Sequence, residues 1–116
     1  MPTAFVTTKQ NSDPVMLSVN DHGSMSSSSI FFNGNWIKTI EGDVQNFFLG
    51  TNSGLKGNNV VVVTQVGRFP PDMETSTVDF YVDGAADVSP GNPMNSTKNF
   101  ENGAPNVPHF MTYYFI

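Results

Sequence analysis

Hydrophobic and polar residues alternate along much of this chain, whereas apolar residues seldom recur at helical spacing. No window places them at i, i+3, i+4 and i+7 between matching caps, and Gly and Pro recur at short intervals. The chain is therefore predicted to be strand nearly throughout. Eight strands are predicted, over residues 3–9, 15–20, 27–32, 35–40, 44–49, 59–66, 76–83 and 107–116.

Turn-forming clusters such as NSDP, DHGS, EGD and RFPPD separate most of these strands. Many short strands at such spacing predict an antiparallel β-sandwich of seven to eight strands, immunoglobulin-like or jelly-roll-like, or a partly open barrel. A length of 116 residues predicts a single domain over 1–116. Residues from about 84 to 106 have no strand pattern and include three prolines, so a long irregular loop is expected there.

Two strands are apolar on both faces. The segment from Val60 to Val66 predicts a central strand that is covered on both sides or that lies against a partner chain. The closing segment, NVPHFMTYYFI, has the same character. Either it is sealed into the sandwich, or it offers a hydrophobic edge to another subunit. The second alternative predicts an interface formed by Tyr113, Tyr114, Phe115 and Ile116.

The segment IFFNGNWIKTI predicts a hairpin and raises the question of which side Trp36 faces. If Asn33 and Gly34 form a two-residue type I′ loop, Phe31 pairs with Trp36, and both rings lie on the outer face. A three-residue loop instead turns Trp36 into the core, because a one-residue shift exchanges the faces. The two-residue loop is favoured because it leaves Lys38 among polar residues.

The two-residue loop also predicts that Ile30 pairs with Ile37 on a core face. An exposed pair of Phe31 and Trp36 predicts a binding surface, since Trp dominates interface energetics. A sugar could stack on the rings while Asn33 and Asn35 bind its hydroxyls, or another protein could bury both rings.

Charge and cysteine content exclude several classes of partner. The chain has ten acidic and five basic residues, a net charge of −5, and the bases are scattered. Nucleic acid and anionic membrane surfaces are therefore not expected as partners, because both need clustered cations. The absence of cysteine excludes disulfides and thiolate metal sites. The N-terminus has no signal-peptide pattern, so cytoplasmic synthesis is expected.

Candidates for catalysis are few. His22 beside Asp21 could form a base with its orienting carboxylate, but adjacent strand-end residues point in different directions. Asp79 and Asp83 lie on one strand face with Tyr81 between them, where they could flank a ligand or, with Asp87, a hard cation. A solvated polar face is the favoured interpretation. No catalytic residues, metal ligands or cofactors are predicted.

These observations predict a non-enzymatic module that acts through protein contacts or self-association, as a small component of a larger assembly. The alternative is a carbohydrate-binding sandwich that uses Phe31, Asn33, Asn35 and Trp36. The partner is thus expected to be a protein, a second copy of the chain, or a glycan.

Overall fold

Ten strands and one short helix make up the computed structural model, which describes residues 2–116. In chain order they are β1 (Thr3–Thr7), β2 (Pro14–Asn20), β3 (Ser26–Phe32), β4 (Asn35–Glu41), β5 (Val44–Thr51), α1 (Asn52–Leu55), β6 (Asn59–Gly67), β7 (Thr75–Asp83), β8 (Asp87–Ser89), β9 (Met94–Asn99) and β10 (Asn106–Phe115). The prediction of an all-β chain is confirmed, and each of the eight predicted strands is present to within two residues at either end.

The strands form two open sheets. One has six strands in the order β4-β3-β6-β10-β1-β8, and the other has four in the order β5-β2-β7-β9. Neighbouring strands are antiparallel except for β1 and β10, which run parallel. Among residues 2–116 there is no helix long and apolar enough to cross a membrane.

Both sheets contribute to one hydrophobic core. Alternate side chains of each strand point inward, as period-two geometry requires. In β6, for example, Val60, Val62 and Val66 are buried, whereas Val61 and Val63 on the other face are half-buried. The inward-facing apolar residues of β1, β2, β3, β6, β7 and β10 form a single cluster with Val44, Leu55 and Phe100.

The segment predicted to be an irregular loop, at about 84–106, contains two of the ten strands. β8 pairs with β1, and β9 pairs with β7, each at the edge of its sheet. Both are short and mostly polar, with sequences DVS and MNSTKN, because an edge strand needs few buried side chains. Prolines on either side of β9 interrupt any longer alternating pattern.

The hairpin between β3 and β4 has the favoured two-residue loop. Phe31 pairs with Trp36, and Asn33 and Gly34 have positive φ values of 48° and 84°, as a type I′ turn requires. The expected pairing of Ile30 with Ile37 is wrong, since Ile30 lies opposite Lys38. A bulge at this point leaves Ile37 exposed at the sheet edge instead of in the core.

Asn52, at the start of α1, joins three segments of the chain. Its side chain is fully buried and donates hydrogen bonds to the carbonyl oxygens of Asp13 and Gly84, at 2.8 and 3.0 Å. Its own amide oxygen accepts a hydrogen bond from the backbone N–H of Lys9 at 2.9 Å. The loops after β1 and β7 are thereby fixed to α1, because one buried side chain bonds backbone groups of both loops.

A buried histidine links the two sheets. His109 on β10 lies within 2.9 Å of the Ser76 hydroxyl on β7 and within 2.8 Å of the Ser96 hydroxyl on β9. All three side chains are buried. Both ring nitrogens therefore have a partner, which is the condition for placing a polar ring in a core at modest cost.

The hydroxyl of Tyr113 lies in the core without a hydrogen-bond partner. Burial raises the pKa of this phenol well above its ordinary value, so the group stays protonated. We expect Tyr113→Phe to raise the free energy of unfolding by about 1 kcal/mol, because it removes an unsatisfied polar atom and keeps the ring. Urea unfolding of the two chains measures the difference. A loss of stability would contradict the expectation and would indicate that the hydroxyl has a partner.

Candidate interaction face

Aromatic and aliphatic side chains converge on the outer face of the six-stranded sheet. Five of its six strands contribute to this patch, which we call the aromatic face and which consists of Phe5, Phe31, Trp36, Val61, Val63, Phe110 and Tyr114. These residues occupy the strand positions that alternate with the buried ones, so they point away from the core. The face therefore lies opposite the side that packs on the smaller sheet.

Strand register brings these residues side by side. Phe31 lies between Trp36 on β4 and Val61 on β6, and Phe110 lies opposite Val63. Residues directly opposite one another on one face of a sheet have their Cβ atoms about 5 Å apart, so their side chains touch. The patch is therefore continuous across the sheet from β4 to β10.

The far side of the patch is a pair of stacked rings. Parallel pairing of β1 with β10 places Phe5 beside Tyr114, with ring centroids 5.7 Å apart and planes inclined by 25°. Phe5 is 51% exposed, Tyr114 is 43% exposed, and Trp36 at the other end of the patch is 61% exposed. Large rings this accessible on a single face are typical of a surface that binds another molecule.

Charged residues are excluded from the interior of this face. The outward positions of the four inner strands, β3, β6, β10 and β1, carry only apolar side chains, amides and hydroxyls in the part of the chain that the structure describes. The first charged side chains are Glu41 on one edge strand and Asp87 on the other. A chain with a net charge of −5 thus keeps its acids off this face.

The polar groups beside Trp36 are already bonded within the chain. The indole Nε1–H donates to the Thr39 hydroxyl at 2.8 Å. The amide of Asn33 donates to the Asn58 side chain at 2.8 Å and accepts from the backbone N–H of Asn59 at 2.9 Å. Of the predicted ligand-binding polar residues, only Asn35 has a side chain that these bonds leave free. The surroundings of Trp36 therefore offer apolar contact more than hydrogen bonding.

The structure separates the predicted interface residues into two groups. Tyr113 and Phe115 point inward and are buried in the core, so neither can contact a partner directly. Tyr114 points outward and belongs to the aromatic face. Ile116 is exposed, but its backbone is bonded to Val6 and Thr8 of the first strand region.

The two sites predicted separately thus meet on one surface, since Phe31, Trp36 and Tyr114 all lie on the aromatic face. Sequence reasoning missed Phe5 and Phe110 as members. The alternation within TAFVT hints at an outward Phe5, but only the parallel pairing with β10 places it beside Tyr114. That pairing joins segments far apart in the sequence, so no local sequence pattern reveals it.

The candidate catalytic and metal-binding residues do not form such a cluster. His22 contacts Asp79, with Nε2 2.8 Å from a carboxylate oxygen, and not its neighbour Asp21, which is buried and accepts from Ser26 at 2.6 Å. Asp83 lies on β7 of the smaller sheet and Asp87 on β8 of the larger one. Within residues 2–116 no group of three or more His, Asp or Glu residues could hold a metal ion.

Comparison with known proteins finds no family model that matches the chain, and no curated protein or solved structure with significant similarity. The geometry and the charge of the described residues are therefore the guide to function. The aromatic face stands out in both, because its exposed rings are adjacent and its interior has no charged side chain.

Proposed function

We propose that this chain is a β-sandwich that acts as a non-enzymatic structural module, and that it assembles with a second copy of itself through the aromatic face. A single observation carries the proposal: a continuous aromatic patch without charge in its interior, on a chain whose net charge is −5. The shared core of the two sheets supports the sandwich architecture.

The area of the face is sufficient for a weak dimer. Five strands about 4.8 Å apart and rows about seven residues long, at about 3.3 Å per residue, give on the order of 500 Å² per copy. Two copies then bury about 1,000 Å², which is near the lower limit for a specific interface. We expect association in the micromolar range, since the area is small and its centre is apolar.

The distribution of charge favours a second copy of the chain as the partner. Two chains of equal negative charge repel each other unless the contact avoids charged side chains, and the interior of the aromatic face does so. A face without charged side chains also provides no electrostatic attraction for a charged partner. A two-fold arrangement of two aromatic faces is self-complementary, with every contact made twice.

A sugar fits the aromatic face less well than a protein surface does. Sugar hydroxyls need hydrogen-bonding groups beside the stacking ring, and those of Trp36 and Asn33 are used within the chain. A second aromatic face needs only apolar contact there. These internal bonds therefore favour self-association over carbohydrate binding at this face.

Charge placed on the aromatic face should dissociate the assembly. We expect sedimentation velocity of the unmodified chain to show a concentration-dependent dimer. Trp36→Asp should raise the dissociation constant of that dimer by about tenfold or more. The two-fold contact places two carboxylates in one apolar interface, which is costly. Tyr114→Asp should act in the same direction.

Phe48→Asp is the matched control for these variants. Phe48 lies on β5 of the smaller sheet and is 54% exposed, so its replacement removes an equally accessible ring and adds the same charge away from the aromatic face. We expect its dissociation constant to match that of the unmodified chain. A monomer at every concentration up to millimolar, or equal dissociation by Phe48→Asp and Trp36→Asp, would overturn the proposal.

A further inference from the structure

The outer face of the four-stranded sheet carries a cleft of about 340 Å³. Its lining includes Ser18 and Asn20 on β2, Asp43 just before β5 and Gln45 on it, and Asp79 and Tyr81 on β7. The cleft lies on the side of the molecule opposite the aromatic face, and its volume is within the range of small-molecule sites. We propose that it binds a neutral sugar, with the ring of Tyr81 as the stacking surface.

Strand register builds the cleft from paired residues. Ser18 lies opposite Tyr81, and Asn20 lies opposite Asp79, on the outward face of β2 and β7. A bulge in the pairing of β2 with β5 displaces the start of β5. Asn46, which lies at that bulge, donates its backbone N–H to the Ser18 hydroxyl at 3.0 Å. The cleft is therefore framed by paired strands.

Intramolecular hydrogen bonds hold the polar side chains of the cleft in position. Asn20 accepts from the backbone N–H of His22 at 2.9 Å, and one oxygen of Asp43 accepts from the N–H of Asp21 at 2.9 Å. Asp79 is held by His22 at 2.8 Å and by the amide of Asn95. Fixed side chains lose little conformational entropy when a ligand binds, so they favour recognition.

These bonds leave both donors and acceptors available. The Asn20 amide nitrogen, the Ser18 hydroxyl hydrogen and the Tyr81 hydroxyl can donate, and the second oxygen of Asp43 can accept. A sugar hydroxyl both donates and accepts, so a mixed set of partners suits it. The Tyr81 side chain, 41% exposed, offers a ring to the apolar face of the sugar.

Other ligand classes fit the cleft less well. The carboxylates of Asp43 and Asp79 repel anions. A metal ion finds too few carboxylates, because both oxygens of Asp79 are already bonded to His22 and Asn95. An amine would use the acceptors but not the amide and hydroxyl donors, and an apolar ligand would use neither. A neutral polyol with one apolar face is the class that matches the free donors, the free acceptor and the Tyr81 ring together.

Saturation-transfer NMR with a panel of neutral mono- and disaccharides, each at millimolar concentration, tests the proposal. At least one sugar should receive saturation through its ring protons, with its affinity reduced about tenfold or more by Tyr81→Ala. Tyr81→Phe should retain most of the affinity, because it keeps the ring. Asp43→Asn should weaken binding, and far-UV circular dichroism shows that each variant is folded.

Trp36→Ala is the control, because it removes an exposed ring on the opposite sheet. We expect it to leave sugar binding unchanged, which also keeps this test independent of self-association. Absence of signal from the whole panel would overturn the proposal. Binding that survives Tyr81→Ala, or that disappears with Trp36→Ala, would overturn it as well, as would a cleft that takes up methylammonium or calcium ions but no sugar.

Discussion

Replacing Gly84 by alanine is expected to lower the free energy of unfolding by about 3 kcal/mol or more. Gly84 has a φ of +97°, in the left-handed region that side chains rarely adopt, and a Cβ there would lie 2.1 Å from the carbonyl oxygen of Pro14. The backbone cannot move away easily, since the carbonyl of Gly84 is bonded to the buried Asn52 side chain. Urea unfolding of the variant measures the loss.

Gly103→Ala separates the effect of backbone conformation from that of the clash. Gly103 has a φ of +79°, but a Cβ at that position meets no atom within 4 Å. We expect a cost of about 1 kcal/mol, from the left-handed conformation alone. Equal losses in the two variants would contradict the prediction, because they would show that the contact of the new Cβ with Pro14 adds nothing to the cost of Gly84→Ala.

Acid is expected to destabilise this protein through His109. Burial, and next the positive charge of Lys98, lower the pKa of His109 from 6.5 to about 4. Between those two values the unfolded chain binds a proton at this residue and the folded chain does not, so the free energy of unfolding falls as the pH falls. The full contribution, lost from about pH 6.5 down to about pH 4, is on the order of 3 kcal/mol.

His109→Asn isolates this contribution from the carboxylates that titrate in the same range. The variant lacks the ionising ring, so its free energy of unfolding should fall less between neutral and acidic pH, by about 3 kcal/mol, than that of the unmodified chain. Ser96→Ala is the matched control, since it removes one hydrogen bond of the cluster and keeps the imidazole. It should lower stability and retain most of the pH dependence. Parallel pH profiles of the unmodified chain and His109→Asn would contradict the assignment.

Period-two alternation was sufficient to predict most of the fold. The alternation in the predicted strand over residues 76–83 is a local signal, and Val78, Phe80 and Val82 are buried there. The turn at Asn33 and Gly34 is also a local signal, and the structure confirms it. β8 and β9 were missed because short, polar edge strands bury almost nothing that a sequence pattern could reveal. The bulge at Ile37 was missed because it depends on how β4 fits its neighbour and not on the turn.

The candidate sites were only partly predictable, because strand order brings distant segments together. Tyr81 and Asp79 were recognised as one polar face, but Asp43 and Gln45 join them only through the pairing of β5 with β2. His109 was assigned to a strand without a defined role, and its partners come from two strands of the other sheet. Side-chain direction follows from local sequence, whereas the choice of neighbour does not.

The position of β10 constrains how a newly made chain can fold. This strand is the last in sequence, yet it lies between β6 and β1, and β8 is attached to the same sheet only through β1. During synthesis, β1 and β8 therefore cannot join that sheet until residues up to 115 have left the ribosome. Because the pairing of β1 with β10 joins Thr3 to Thr112, segments far apart in the sequence, folding in milliseconds to seconds is expected, and strands left unpaired in that interval are exposed to aggregation.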